Sequence, residues 1–231
     1  MQYISRYTNK MGEILLASDG KNLIGLWFVG QKYFAGNLDK DTFEKDLPIF
    51  EKTKQWLDVY FSGKAPCFTP PLSFGNISTF RKRVWEIMLE IPFGQTSTYG
   101  KIAKKMEEET GKMISARAIG GAVGHNSISL IIPCHRVLGS NFSVTGYAGG
   151  IDKKIKLLKL EGVDSSKLTV PKDCITTLQK DWKNIFLNMI KQWEGCLQDK
   201  NYFVKNNLNI YIYAGKFFIY NLHFTLTILS L

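Results

Sequence analysis

The residues best suited to chemistry are Pro133-Cys134-His135-Arg136-Val137, entered from an apolar run, Ile128 to Ile132, broken only by Ser129. Pro133 biases Ile132 toward an extended conformation and cannot donate to a sheet ladder, so the thiol emerges where a buried run ends and a turn begins. A free thiol is mostly protonated at neutral pH, and an adjacent base or cation shifts it toward the nucleophilic thiolate. His135 is the candidate base. A free cysteine is more often a small buried hydrophobe, so Cys-His alone does not establish a nucleophile.

The wider composition narrows the chemistry. The chain has 231 residues, 45% hydrophobic and 22% charged, within the range of a soluble globular protein of one or two domains. It opens on a polar and aromatic strand rather than a signal sequence, so export is not expected. Cys67, Cys134, Cys174 and Cys196 form no CxxC pair, which points away from a disulfide framework and a zinc cage and toward the reduced cytoplasm. The first 124 residues hold no histidine, so no metal site is expected there. Net charge is +10, with 9 basic against 8 acidic residues in 1–75, 13 against 8 in 76–165 and 8 against 4 in 166–231. The cysteine lies in a basic segment, which favours a polyanionic partner.

Several elements must position these residues. Tyr3 to Tyr7, Glu13 to Ser18 and Leu23 to Phe28 read as short strands, with Asp19-Gly20 as a hairpin signal, and Phe50 to Phe61 reads as an amphipathic helix. Residues 1–75 therefore form a small α+β meander domain with no chemical motif of its own. Ser78 to Ile91 is a second helix, capped by Ser78 and ended by Pro92-Phe93-Gly94. Thr98 to Met106 and Ser115 to Asn126 are two short helices separated by an acidic, glycine-containing loop, the pattern of a helix-turn-helix DNA reader. The second is built of small residues around one long side chain, Arg117. Gly120 and Gly121 each cost roughly 1 kcal/mol in a helix interior relative to alanine, so a groove wall or a packed strand should approach closely. After a pocket-rim loop, Thr145 to Gly150, Ile151 to Glu161 is a helix whose lysines Lys153, Lys154, Lys156 and Lys159 read as a solvated face. Glu161 opposes the negative end of the helix dipole, which invites a hydrogen-bonding explanation. Beyond Asp164 the character changes. Trp182 to Trp193 is helix-like, and Asn206 to Leu231 is an aromatic and aliphatic run whose Asn, Lys and His residues make a poor membrane span.

Pro133-Cys134-His135-Arg136-Val137, with Ser115-Ala116-Arg117-Ala118-Ile119-Gly120-Gly121-Ala122, Asn126, Tyr147-Ala148-Gly149-Gly150, Leu160-Glu161-Gly162 and Phe93 to Tyr99, resembles the O6-alkylguanine-DNA alkyltransferases. The resemblance covers about residues 76–165. It implies an α+β fold: a small N-terminal domain, then a helical, winged helix-turn-helix-like domain that binds DNA and carries the catalytic cysteine. Residues 166–231 have no counterpart and read as an extension of unclear role, appended or artefactual.

What the resemblance implies about roles is specific. Cys134 would take the alkyl group from O6-alkylguanine in double-stranded DNA, with O4-alkylthymine as a candidate second substrate, in one irreversible transfer without a cofactor. His135 would accept the thiol proton through a water and Glu161 would polarise His135, while Asn126 would fix the surrounding hydrogen bonds. Tyr99 would help rotate the nucleotide and donate toward the leaving oxygen. Arg117 would fill the space left by the flipped base, beside Ala118, Gly121 and Arg136 at the DNA. Pro133, Val137, Tyr147 and Ala148 would line the substrate pocket; Ala148 stands where some members have serine. A cytoplasmic monomer is implied. The rival readings are a helix-turn-helix module that binds DNA without chemistry, and a Cys-His hydrolase, which would need an oxyanion hole and would turn over.

Overall fold

The computed structural model describes residues 1–170 and the strand segments 203–205, 208–213, 216–221 and 224–229. The chain divides into two compact units, Met1–Ile175 and Thr176–Leu231.

The first unit begins with a four-stranded sheet of order β3-β2-β1-β4, made of β1 (Gln2–Asn9), β2 (Gly12–Ser18), β3 (Leu23–Phe28) and β4 (Thr42–Glu44). The meander expected from alternating runs is present in β1 to β3. Its Asp19-Gly20 turn closes through Asp19 Oδ1, which accepts from the amides of Lys21 and Asn22 at 2.9 and 2.7 Å. The short strand β4, parallel to β1, was not legible in the sequence. Both faces of the sheet are covered. Ile14, Leu16, Leu26 and Phe28 face the main core, while Leu15, Ala17, Ile24 and Trp27 pack with Ala35 and Leu38 of the following loop.

Helix α1 (Pro48–Phe61) starts two residues before the expected Phe50, because proline is tolerated in the first turn, where its missing N–H would lack a partner anyway. Helices α2 (Thr79–Leu89), α3 (Tyr99–Thr110) and α4 (Ala116–Gly124) are each capped by a hydroxyl: Ser78, Thr98 and Ser115 accept from the amides of Arg81, Lys101 and Ala118. Helix α3 runs on through the acidic residues expected to be loop, stopping at the left-handed Gly111. Strands β5 (Ser97–Thr98) and β6 (Val137–Leu138) pair in parallel, which ties the start of α3 to the turn carrying Cys134. Helix α5 (Ile151–Leu160) closes the unit.

One continuous core runs from Ile14 and Trp56 through Trp85 and Ile119 to Leu157, so residues 1–75 and 76–165 share their packing. The seam is also hydrogen-bonded: Leu26 donates to the Ser127 carbonyl at 2.8 Å and accepts from Ser129 at 2.9 Å, closing the free edge of β3. Packing continues a few residues past 165: Thr169 exchanges backbone bonds with Val144 and Phe142, and Leu168 packs on the cluster of Leu138, Val144 and Leu158.

In the second unit, β7 (Phe203–Lys205), β8 (Leu208–Tyr213), β9 (Lys216–Asn221) and β10 (Phe224–Leu229) form an antiparallel meander. The helix expected at Trp182 to Trp193 lies outside the described residues. Among the described residues, no helix is long and apolar enough to cross a membrane.

Candidate active site and nucleic-acid interface

The loop between α4 and Cys134 is folded by one side chain. Asn126 is buried; its Oδ1 accepts from the Ile128 amide at 3.0 Å, and its Nδ2 donates to the Ile132 carbonyl at 2.8 Å and to Cys134 Sγ at 3.2 Å. Within that loop Leu130 is held at φ 70°, a left-handed conformation that costs a leucine about 1–3 kcal/mol and persists only where the surroundings impose it. Pro133, at φ −82° and ψ 64°, makes an inverse γ-turn that closes Cys134 N–H onto the Ile132 carbonyl at 2.8 Å. Cys134, His135 and Arg136 then form one turn of 3-10 helix, and all three are buried.

Burial pushes the Cys134 thiol up, opposed by the Asn126 hydrogen bond and the Lys154 charge; at rest it holds its proton. A base is therefore needed. Burial lowers the basicity of His135, while Glu161 works in the other direction. His135 Nε2 lies 2.6 Å from Glu161 Oε1, and its Nδ1 has no protein hydrogen-bond partner among the described residues.

Glu161, at the C-terminal cap of α5, owes its place to five donors rather than to the dipole. Oε2 accepts from Arg136 Nε at 2.8 Å and the Gly94 amide at 3.1 Å. Oε1 accepts from Arg136 Nη2 at 3.1 Å, Tyr60 Oη at 2.7 Å and His135 Nε2. Burial would raise this carboxyl, but His135 and Arg136 outweigh it and hold it at about 2. Gly94 is required here: it adopts φ 75°, and a Cβ would stand 2.9 Å from the Glu161 carbonyl.

Arg136 corrects an expectation. Its guanidinium is turned inward to Glu161 and to the Ile91 carbonyl at 2.6 Å, so it serves the buried cluster and is not presented to DNA. Lys154 corrects another. It is fully buried rather than solvated, with Nζ donating to the Val137 and Thr145 carbonyls at 2.6 and 2.8 Å, and burial lowers its ammonium to about 8. Tyr60 of α1 was also missed, and with it the contribution of the N-terminal region to the site.

The other expected residues surround the thiol. Tyr99 is half-buried at the start of α3, its hydroxyl 3.4 Å from the Thr145 and Gly146 carbonyls, and burial followed by the charge at Cys134 raises it to about 12. Pro133 and Val137 are buried in the wall. Tyr147 has a buried hydroxyl with no protein partner among the described residues, and the Ala148 carbonyl accepts from the Lys32 amide at 2.9 Å.

On α4, Arg117, Ala118 and Gly121 are exposed along one face, while Ile119, Ala122 and Val123 are buried on the other. A Cβ added at Gly120, Gly121 or Gly124 would meet nothing within 4 Å, so packing inside the protein does not account for these glycines.

A buried thiol, hydrogen-bonded to Asn126, thus lies just past the second helix of a helix-turn-helix pair. Comparison with known proteins agrees. Residues 3–74 match the ribonuclease-like domain of 6-O-methylguanine DNA methyltransferase and residues 79–163 match its DNA binding domain. The methylated-DNA–protein-cysteine methyltransferase of Haemophilus influenzae is 36% identical over 161 residues, 70% of this chain and 87% of the relative. That of Methanosarcina mazei is 43% identical over 148 residues, 64% and 89%. The crystal structure of Mycobacterium tuberculosis O6-methylguanine methyltransferase superimposes with a TM-score of 0.60 at 36% identity, covering 70% of this chain and 93% of that one. The M. tuberculosis OGT in complex with DNA gives 0.61 at 34%, covering 74% and 96%. The chain belongs to the 6-O-methylguanine DNA methyltransferase family.

Proposed function

We propose that this protein repairs DNA by moving the alkyl group of O6-alkylguanine onto its own Cys134, once per molecule, in the cytoplasm. The observation that carries this reading is the buried set Cys134, His135 and Glu161, in which the imidazole beside the thiol residue has one nitrogen engaged by a carboxylate and the other without a protein partner among the described residues. The thiol proton passes through a water to His135 Nδ1. Cys134 Sγ attacks the alkyl carbon in line, the carbon–O6 bond breaks, and its electron pair returns to the guanine, which takes up a proton at the vacated oxygen with help from Tyr99. The product is a thioether. A thioether is stable to the groups placed around it, so each chain acts once.

The reacting atom of a stacked guanine cannot reach a buried thiol, so the nucleotide must rotate out of the helix at a cost of a few kcal/mol. The small-residue face of α4 lets the helix approach the minor groove, and Arg117 occupies the space the base leaves. Pro133, Val137, Tyr147 and Ala148 receive the base. The test is stoichiometry. With excess O6-methylguanine duplex carrying a labelled methyl, transfer should stop at one per chain, and the Cys134→Ser variant should still bind DNA but transfer nothing. Continued turnover would favour a hydrolase, and binding without transfer by the intact chain would favour a recognition module.

A further inference from the structure

We propose that Tyr60, from the N-terminal sheet domain, is a positioning residue of the alkyl-transfer site that sets the proton affinity of His135 through their shared carboxylate oxygen, Glu161 Oε1. The proposal rests on the alkyl-transfer reading.

Tyr60 is fully buried in the last turn of α1. Its Oη lies 2.7 Å from Glu161 Oε1 and 3.1 Å from His135 Nε2, and those two atoms are 2.6 Å apart, so the three form a closed triangle. Proton counting then fixes each role. Glu161 is ionised and carries no hydrogen, and the single phenolic hydrogen goes to Oε1. Both atoms facing His135 Nε2 are therefore acceptors, so Nε2 must carry the imidazole hydrogen and Nδ1 is left as the basic nitrogen. Burial and the Glu161 charge raise the phenol well above its ordinary value, so Tyr60 stays neutral throughout.

By donating to Oε1, the phenol takes up part of the negative charge that would otherwise stabilise a protonated His135. A weaker hold on the imidazolium keeps His135 neutral, and so able to accept the thiol proton. A buried tyrosine hydroxyl usually finds a partner; here the partner is the one oxygen that also holds His135. The ring is fixed by Trp56, stacked at 5.2 Å, and by Phe93, edge-on at 5.9 Å, so the phenol is held in place rather than free to turn away. The remaining charged or titratable groups around His135 are Cys134 and Arg136 on its own turn and Lys154 on α5, with Tyr99 and Tyr147 facing the thiol. None of these also shares a hydrogen bond with His135 Nε2.

The test is a pH titration of the imidazole nitrogens by 15N NMR on the full chain, which has only three histidines, His125, His135 and His223. Tyr60→Phe keeps the ring and removes the donor. His135 should remain protonated at Nε2 in its neutral form, and its protonation midpoint should move up by roughly one pH unit. The acid limb of single-turnover transfer should move with it. Site-specific 3-fluorotyrosine at position 60, similar in shape and a stronger donor, should move the midpoint down, and it decides the matter should the phenylalanine variant fail to fold. An unmoved His135 midpoint in a folded variant, or a rate loss equal at every pH, overturns the proposal. Normal transfer with an unmoved midpoint sinks the role of Tyr60 alone. The expected midpoint shifts without any alkyl transfer by the intact chain sink the reading of the reaction instead.

Discussion

The exposed face of α4 and the buried cluster behind it make opposite use of their residues. On α4 the side chains are small, the glycines have open space beside them, and Arg117 reaches into solvent. In the cluster each Glu161 oxygen is engaged by at least two donors, and Arg136, His135 and Tyr60 converge on one carboxylate with almost no exposure. In the first region, packing among the described residues does not account for the glycines, which fits the proposed approach to DNA. In the second, fold and proposed chemistry share their contacts, because the carboxylate paired with Arg136 also holds His135. Substitutions should therefore divide cleanly: on α4 they alter function with little loss of stability, and in the cluster they cost both.

The largest effect should come from Arg136→Ala. It leaves Glu161 buried without its bidentate partner, and breaking such a pair typically costs about 3–5 kcal/mol. Denaturant unfolding should show that loss together with loss of transfer. A stability change below about 1 kcal/mol would mean that the pair does not organise the core.

Acid should act on the same cluster. The Glu161 carboxyl is held at about 2 when folded, against an ordinary value of 4.5, so it contributes stability above pH 4.5 that is lost as the pH falls toward 2, roughly 3 kcal/mol in all. His135 works in the same direction. Its folded proton affinity is depressed, so the unfolded chain binds more protons below pH 6.5 and stability declines from there. Unfolding followed from pH 7 to pH 3 should show this acid loss, and Glu161→Gln should flatten it. An unchanged slope in that variant would place the acid sensitivity elsewhere.

Arg117→Ala should leave stability within about 0.5 kcal/mol, as for most surface changes. Repair of duplex DNA should nevertheless fall by roughly tenfold or more, given the few kcal/mol needed to unstack a base. Reaction with free O6-benzylguanine, which needs no flipping, should be nearly unaffected. Equal losses on both substrates would deny Arg117 its role as a wedge. The smallest effect should be the most diagnostic. Gly121→Ala lies in a helix with open space beside it, so it should stabilise the protein by about 0.5–1 kcal/mol while weakening DNA binding. If affinity for duplex DNA were unchanged, the glycine would not be there for a close approach.

Much of this site was legible because its signals are local. Cys134-His135 after a proline and Glu161 at an unfavourable helix end are anomalies visible in the chain itself, whereas Asn126 came only from the resemblance to the alkyltransferases; the fold brings all four together. Arg136 was misplaced because nothing local tells which way a side chain leaves a 3-10 turn. Lys154 was misread as one of four lysines on a wet face, although it stands three residues after Ile151 and four before Leu158, on the apolar stripe. Tyr60 occupies a core position of α1 by every periodic criterion; the usable signal was its hydroxyl, which a buried position must satisfy. The short parallel strand β4 and the seam between β3 and Ser127 to Ser129 depend on pairings distant in sequence, which no local pattern encodes.

The central claim is that Cys134 is the alkyl acceptor, and peptide mass mapping after incubation with O6-methylguanine duplex tests it most directly. One methyl, about 14 Da, should appear on the peptide containing Cys134 and on no other, as expected of a thiolate nucleophile held beside its base. A label on Cys67, Cys174 or Cys196, or an unmodified chain after the lesion has disappeared, would contradict it.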